Sequence, residues 1–231
     1  MTKLREVVLD IETTGLNPEE GDKIVEIGAV ELINHIPSGV NFQEYINPNR
    51  QVPADALKVH GLTYDFLKTK PIFSDISNSL LDFLRDDKII IHNAQFDLGF
   101  LNMELLSIGK AAISLEQSID TLAIARRLFP GKPASLDALS KKFLIDLSKR
   151  TYHGALLDCE ILAKVYLELI GGRQPDFKLS KERKDIVFVK EARKVSEKFS
   201  RRRLQTRVTE DELELHKGLI KKINASDKWS Y

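Results

Sequence analysis

Two carboxylates stand two residues apart at the end of an apolar run, Val7-Val8-Leu9-Asp10-Ile11-Glu12. Residues two apart in a strand share a face, so Asp10 and Glu12 project together while Val7, Leu9 and Ile11 fill the other side. Like charges at the end of a buried strand repel each other and are costly to desolvate unless a cation lies between them. Solvated carboxylates at a strand end are the ordinary alternative. Asp97 repeats the anomaly, in line with Phe100 and Leu101 on the apolar stripe of a predicted helix and near its start, where backbone N–H groups favour negative charge. An ordinary helix-start carboxylate fits that pattern equally. Asp158 heads the stripe formed by Ile161, Leu162, Val165 and Leu169, and His153 precedes that helix, where a loop could aim it at the same point or leave it on the surface. Together, Asp10, Glu12, Asp97 and Asp158 offer oxygen ligands, which suit Mg²⁺ or Mn²⁺ better than zinc. Two such ions stabilise the attacking and leaving oxygens of an in-line phosphoryl displacement. The attacking water also needs a base, and imidazoles change charge near neutrality, which makes His153 the candidate. Cys159, beside Asp158, reads as a small buried helix residue rather than a nucleophile.

The elements that must carry these residues follow from periodicity. Runs 6–11, 24–32 and 41–46 are β-rich and separated by turn-rich pieces, which predicts a three-stranded meander. Ile76, Leu80, Leu81 and Leu84 then recur at helical spacing, followed by a short apolar strand at 89–91. Helices are expected at 96–107, 122–129, 135–143 and 155–170, with a short extended piece at 118–120. Alternation of helix and strand makes the later strands parallel and the domain three-layered, an α/β fold with helices on both faces of a mixed sheet.

Composition limits the function classes. The chain has 231 residues, 42% of them hydrophobic, enough for one core and a tail. A single cysteine excludes an internal disulfide framework and fits a reducing compartment. The start runs straight into a strand pattern without a leader, and no apolar run approaches the roughly 18–20 residues of a membrane span, so a cytoplasmic location is expected. The net charge of +1 hides an asymmetry: residues 1–177 carry 19 Lys and Arg against 25 Asp and Glu, and residues 178–231 carry 16 against 9. An acidic body repels DNA, so any nucleic-acid site in it must be local and helped by cations.

The segments Val8-Leu9-Asp10-Ile11-Glu12-Thr13-Thr14-Gly15, His92-Asn93-Ala94-Gln95-Phe96-Asp97 and His153-Gly154-Ala155-Leu156-Leu157-Asp158 resemble, in order and interval, the three exonuclease motifs of the DEDD superfamily in its histidine branch. The likeness covers about residues 6–170. It implies a ribonuclease H-like fold with a five-stranded mixed sheet, two divalent ions held by Asp10, Glu12, Asp97 and Asp158, and His153 as general base. Narrower matches, in Asp10 to Leu16, in His60-Gly61-Leu62-Thr63 and in Gly171-Gly172 after the last helix, are similar to the epsilon-subunit family of DNA polymerase III. That likeness implies a proofreading 3′→5′ exonuclease acting on a DNA 3′ end during replication. It also implies a terminal-nucleotide pocket lined by Thr13, Thr14, His60, His92, Asn93 and Phe96 beside Asp10, Glu12 and Asp158. A plain turn at Thr13 to Gly15 and a solvated loop at His60 are the alternatives. Ile11 stands where many members carry Thr, and it faces away from the carboxylates. Competing functions are a free-standing DNA or RNA 3′ exonuclease and a non-catalytic scaffold; all five active-site residues are present, which argues against the scaffold.

The expected layout is an exonuclease domain at 1–172, a flexible basic linker at 173–207 and a polymerase-binding segment at 208–231. Residues 174–179, Gln174-Pro175-Asp176-Phe177-Lys178-Leu179, resemble the short peptides that hold a sliding clamp, the alternative being a linker with a stray Phe. In the last segment Thr209 and Glu212 form a predicted capping box, and Leu215, Leu219 and Ile223 make one apolar stripe. With His216 and Trp229 it resembles the epsilon-subunit tail, which implies docking on the polymerase catalytic (alpha) subunit; packing on its own domain is the alternative. A small accessory subunit on the domain is left open.

Overall fold

The structure is a computed structural model that describes residues 3–148, 152–171 and 209–222. Alternating apolar residues build β1 (Arg5–Thr13), β2 (Ile24–Ile33) and β3 (Ile36–Tyr45), an antiparallel meander as expected. The third strand begins earlier than its hydrophobic run because Asn34 and His35 both take positive φ, 51° and 67°. This two-residue turn matches the twist of the flanking strands and lets pairing resume at once. Two short helices follow, α1 (Ala54–His60) and α2 (Tyr64–Leu67), too short to display a period in sequence. The remaining elements of the domain are α3 (Phe73–Leu84), β4 (Lys88–Ile91), α4 (Ala94–Ser107), β5 (Ser118–Asp120), α5 (Thr121–Leu128), α6 (Leu136–Lys142) and α7 (Ala155–Leu169).

The sheet has five strands in the order β3-β2-β1-β4-β5, and β1, β4 and β5 run parallel. Residue parity along β1 divides the core. Val7, Leu9 and Ile11 pack with Phe73 and Leu80 of α3 and Phe100 and Leu101 of α4. Val8 packs with Ile90 and with Cys159, Leu162 and Tyr166 of α7 on the opposite face. Full burial of each large aliphatic or aromatic side chain here contributes about 1.5–3 kcal/mol. On the outer side of α7, Ile161, Val165 and Leu169 pack with Ala125 of α5 and Leu139 of α6.

One offset positions the site. Pairing of β1 with β4 ends at Val8 and Ile90, while β1 continues to Thr13. Asp10 and Glu12 therefore project beyond the end of β4, where α4 begins. In α/β sheets, such crevices at the carboxyl ends of parallel strands are where ligands bind.

The second unit of the chain, residues 180–231, contains α8 (Glu210–Lys222). Its capping box forms as expected: the Thr209 N–H donates to Glu212 Oε2 at 2.9 Å, and the Glu212 N–H donates to Thr209 Oγ1 at 3.3 Å. Leu215 and Leu219 are exposed and Ile220 is buried. The linker, the 174–179 peptide, Ile223 and Trp229 lie outside the described residues. Among the described residues no helix is long and apolar enough to cross a membrane.

Candidate active site

Glu12 is buried and Asp10 half-buried, both on the α7 face of β1. Across the ladder Asp10 pairs with Gly28 and Glu12 with Glu26, and the register breaks between Glu12 and Thr13. The chain then folds back on Asp22. The Thr14 hydroxyl donates to Asp22 Oδ1 at 3.2 Å, the Asn17 N–H donates to Asp22 Oδ2 at 3.2 Å, and Arg50 pairs with the same carboxylate at 3.1 Å. A Cβ on Gly15 would lie 2.1 Å from Asp22 Oδ2, so the missing side chain lets this carboxylate tie the loop down. The Thr13 hydroxyl donates to the Gly15 carbonyl at 2.5 Å.

Helix α7 reaches the site through another glycine. A Cβ on Gly28 would lie 2.3 Å from the Ala155 carbonyl carbon and 2.4 Å from the Leu156 nitrogen. The first turn of α7 thus rests directly on the backbone of β2, and the Cys159 thiol donates to the Gly28 carbonyl at 3.1 Å. Gly154 at the N-cap offers no side chain, so an orphan N–H of the first turn needs another acceptor. Glu26 supplies it, accepting from the Ala155 N–H at 3.3 Å while its other oxygen accepts from Gln43 Nε2 at 2.8 Å. This seating buries Asp158 and leaves its Oδ2 3.4 Å from His153 Nδ1. The His153 loop is itself anchored, its backbone N–H donating to the Val59 carbonyl of α1 at 3.1 Å. One ligand atom from each of Glu12, His153 and Asp158 lies within 4.8 Å of the other two.

Asp97 approaches from the other side, in the first turn of α4 behind Asn93, whose φ is 78°. Burial pushes its carboxyl well above the usual range, opposed by its own backbone N–H and that of Ile11. The Ile11 N–H lies between the two β1 carboxylates in sequence, which puts Asp97 beside them. Asp10 and Asp97 border the three-residue cluster without joining it. Burial first, and then the charges of Asp10, Asp97, Asp158 and Glu26, hold the Cys159 thiol well above its ordinary range, so it is no nucleophile. Glu12 of β1 and Asp158 of α7 therefore meet at His153, with Asp10 and Asp97 at the border of the cluster and Glu26 of β2 holding the first turn of α7 beside it. The donor set, oxygen-rich with one imidazole, fits a hard divalent cation.

A cavity of about 520 Å³ opens beside Glu12. Thr13, Thr14, Leu16, His60 and Phe96 are among its lining residues. His60 ends α1 and is buried, unlike a solvated loop residue. Its Nδ1 accepts the Leu62 N–H at 3.0 Å. Burial lowers the pKa of this imidazole against a smaller pull from the Thr13 carbonyl. Phe96 packs on Phe100 with ring centroids 5.0 Å apart. His92 and Asn93 stand at the start of α4 rather than in that lining. The Thr121 hydroxyl donates to the Ile91 carbonyl at 3.1 Å, so it accepts from His92 Nδ1 at 2.9 Å. The Asn93 N–H donates to Asp120 Oδ1 at 3.2 Å, and Asp120 also caps α5 by accepting from the Leu122 N–H at 2.8 Å.

Sequence reasoning missed Asp22, Glu26, Gly28 and Asp120. Only the Asp120 cap carried a local signal, an Asp directly before a predicted helix. The other three act across the sheet or along a loop.

Residues 7–166 match the RNase_T family, described as Exonuclease. DNA polymerase III subunit epsilon of Rickettsia felis is 46% identical over 229 residues, covering 96% of this chain and 98% of that protein. The subunit of the same name from Salmonella typhimurium is 49% identical over 177 residues, 73% of this chain and 72% of that protein. Among solved structures, exonuclease X in complex with 5′ overhanging duplex DNA aligns with a TM-score of 0.58 at 26% identity, covering 72% of this chain and 92% of that one. The nuclease domain of 3′hExo, a DEDDh family member bound to rAMP, aligns with a TM-score of 0.62 at 20% identity over 74% of this chain and 93% of that one, a likeness of fold. The chain belongs to the exonuclease family, among the epsilon subunits of DNA polymerase III.

Proposed function

We propose that this chain removes mismatched nucleotides from DNA 3′ ends, as the cytoplasmic proofreading subunit of a replicative polymerase. The observation that carries the reading is the meeting of Glu12, His153 and Asp158 beside the cavity lined by Thr13, Thr14, His60 and Phe96. In this reading the cavity takes the terminal nucleotide and Phe96 offers a face to its base, while His92 and Asn93 stand outside its lining at the start of α4. His153, oriented by Asp158 and by the backbone bond to Val59, removes a proton from water as the water oxygen attacks the terminal phosphorus. The bond from that phosphorus to the 3′ oxygen of the preceding nucleotide breaks, a nucleoside 5′-monophosphate leaves, and the freed 3′ oxygen takes a proton from water to become the new 3′ hydroxyl.

Dependence on divalent cations goes with this family. Asp10, Glu12, Asp97 and Asp158 would hold two Mg²⁺ or Mn²⁺ ions, which when bound stabilise charge on the attacking and leaving oxygens. Glu12 and Asp158 in one cluster, with Asp10 and Asp97 at its border and the Asp97 pKa raised by burial, are the arrangement such ions relieve.

The tail completes the proposal. Residues 1–172 form the catalytic domain, 173–207 a linker carrying the clamp-binding peptide 174–179, and 208–231 the anchor for the catalytic alpha subunit. The capped α8 with exposed Leu215 and Leu219 supports helix-in-groove docking.

The test is a 5′-labelled DNA strand with a mispaired 3′ end. Stepwise shortening and release of nucleoside 5′-monophosphates, dependent on Mg²⁺ or Mn²⁺, is expected. Hydrolysis that survives chelation would overturn the mechanism.

A further inference from the structure

A polyanion must approach this site although the domain around it is acidic, and the acids that define the site repel every phosphate but those neutralised by cations. Compensating charge has to lie outside the cavity. We propose that the exposed basic face of the α5–α6 arm, carried by Arg126, Arg127, Lys132, Lys141 and Lys142, is a track for the phosphodiester backbone of the substrate strand behind its 3′ end. The proposal rests on the exonuclease reading above.

Charge supports it first. Between Thr121 and Lys142 five cations face a single carboxylate, Asp137, in a domain that is otherwise rich in acid. Packing then sets the direction of that charge. Ala125 and Leu139 turn inward against α7, and all five cationic side chains are exposed. Lys142 Nζ stands 4.3 Å over the Phe129 ring, which keeps it at the surface.

Placement supplies the third argument. The arm touches the start of α4 twice, through Thr121 bonded to His92 and through the Ala134 carbonyl, which draws on the same imidazole. The charges of Asp120 and, more weakly, of Arg126 are felt there as well. A strand whose last nucleotide occupies the cavity would leave past this arm. A flexible chain with one charge per nucleotide suits cations spread over two helices and a loop better than a compact acidic protein surface does.

Two substrates separate the track from the site. The p-nitrophenyl ester of thymidine 5′-monophosphate presents one phosphate and reports on the site alone; a thymidine 20-mer also engages the track. In the full chain, the triple variant Arg126→Ala, Arg127→Ala, Lys132→Ala should hydrolyse the ester like the wild type. Its KM for the 20-mer should rise about 10-fold, and the slope of log KM against log salt should fall by about 2, roughly 0.7 for each lost phosphate contact. The charge-keeping pair Arg126→Lys, Arg127→Lys should retain the wild-type slope. Should the triple variant fold poorly, Lys132→Ala alone should still lower the slope by about 0.7. Unchanged KM and slope on the 20-mer would overturn the track. Normal kinetics with lost co-elution of a polymerase subunit would overturn it too, in favour of a protein-binding face. If the wild type cleaves neither substrate, the exonuclease reading itself has failed.

Discussion

Strand β1 meets helix α7 at both ends through a buried acid, and the two meetings differ in their company. At one end Glu6 accepts from the Tyr166 hydroxyl at 2.9 Å and lies 2.6 Å from His35 Nδ1. At the other end Glu12 faces Glu26 across the ladder and clusters with Asp158 and His153. Both acids point to the same face of the same strand, and Tyr166 lies two helical turns beyond Asp158. Burial of an acid is thus no mark of function. What distinguishes the site is that the neighbours of its acids bring further negative charge.

Variants can break this comparison. Glu12→Ala should cost several orders of magnitude in turnover while leaving the metal-free melting temperature unchanged or higher, since a like charge is removed. Near-normal turnover together with a lower melting temperature would place Glu12 with Glu6. His153→Ala should lower kcat by about 10² to 10⁴ with little change in the melting temperature, the range for loss of a general base. A purified variant within a few-fold of wild type would remove His153 from that role.

At the far end the expectation inverts. Glu6→Ala leaves the Tyr166 hydroxyl without its acceptor and should cost about 3 kcal/mol in urea unfolding. The turnover of folded molecules should hold, and a selective loss of turnover would blur the two ends. Linkage sharpens the contrast further. Burial raises the pKa of both Asp97 and Glu26, so the stability tied to their neutral forms is present below the ordinary carboxylate pKa and lost as pH rises through the elevated values. Chelated protein should therefore weaken from mildly acidic to neutral pH, and Mg²⁺ or Mn²⁺ should restore it; a flat profile in both conditions would contradict this. Tyr166→Phe is the smallest test, about 1 kcal/mol of stability and no change in exonuclease rate.

The strand parity of β1 and the heads of α4 and α7 were legible in the sequence because each is a local period. The same period is blind to company: Glu6 and Glu12 occupy equivalent positions in the alternation, and only the fold shows that Tyr166 reaches one and Asp158 the other. His60 gave no sign of burial, because α1 is two turns long and is held by contacts that a window of sequence does not contain. Glu26 and Gly28 were invisible for a related reason. Their work is done on α7, well over a hundred residues away in the chain, and strand residues that carry it look like any others.

Gly28 also limits how the enzyme can vary. Because the first turn of α7 sits on the bare backbone at this position, the spacing between Asp158 and the β1 acids is fixed by the thickness of two main chains. No side chain sets that gap, so none can be exchanged to widen or narrow it in small steps. Descendants of this sequence can reshape the cavity through its walls at Leu16 and His60, while the distance across the clustered acids stays out of reach of gradual change.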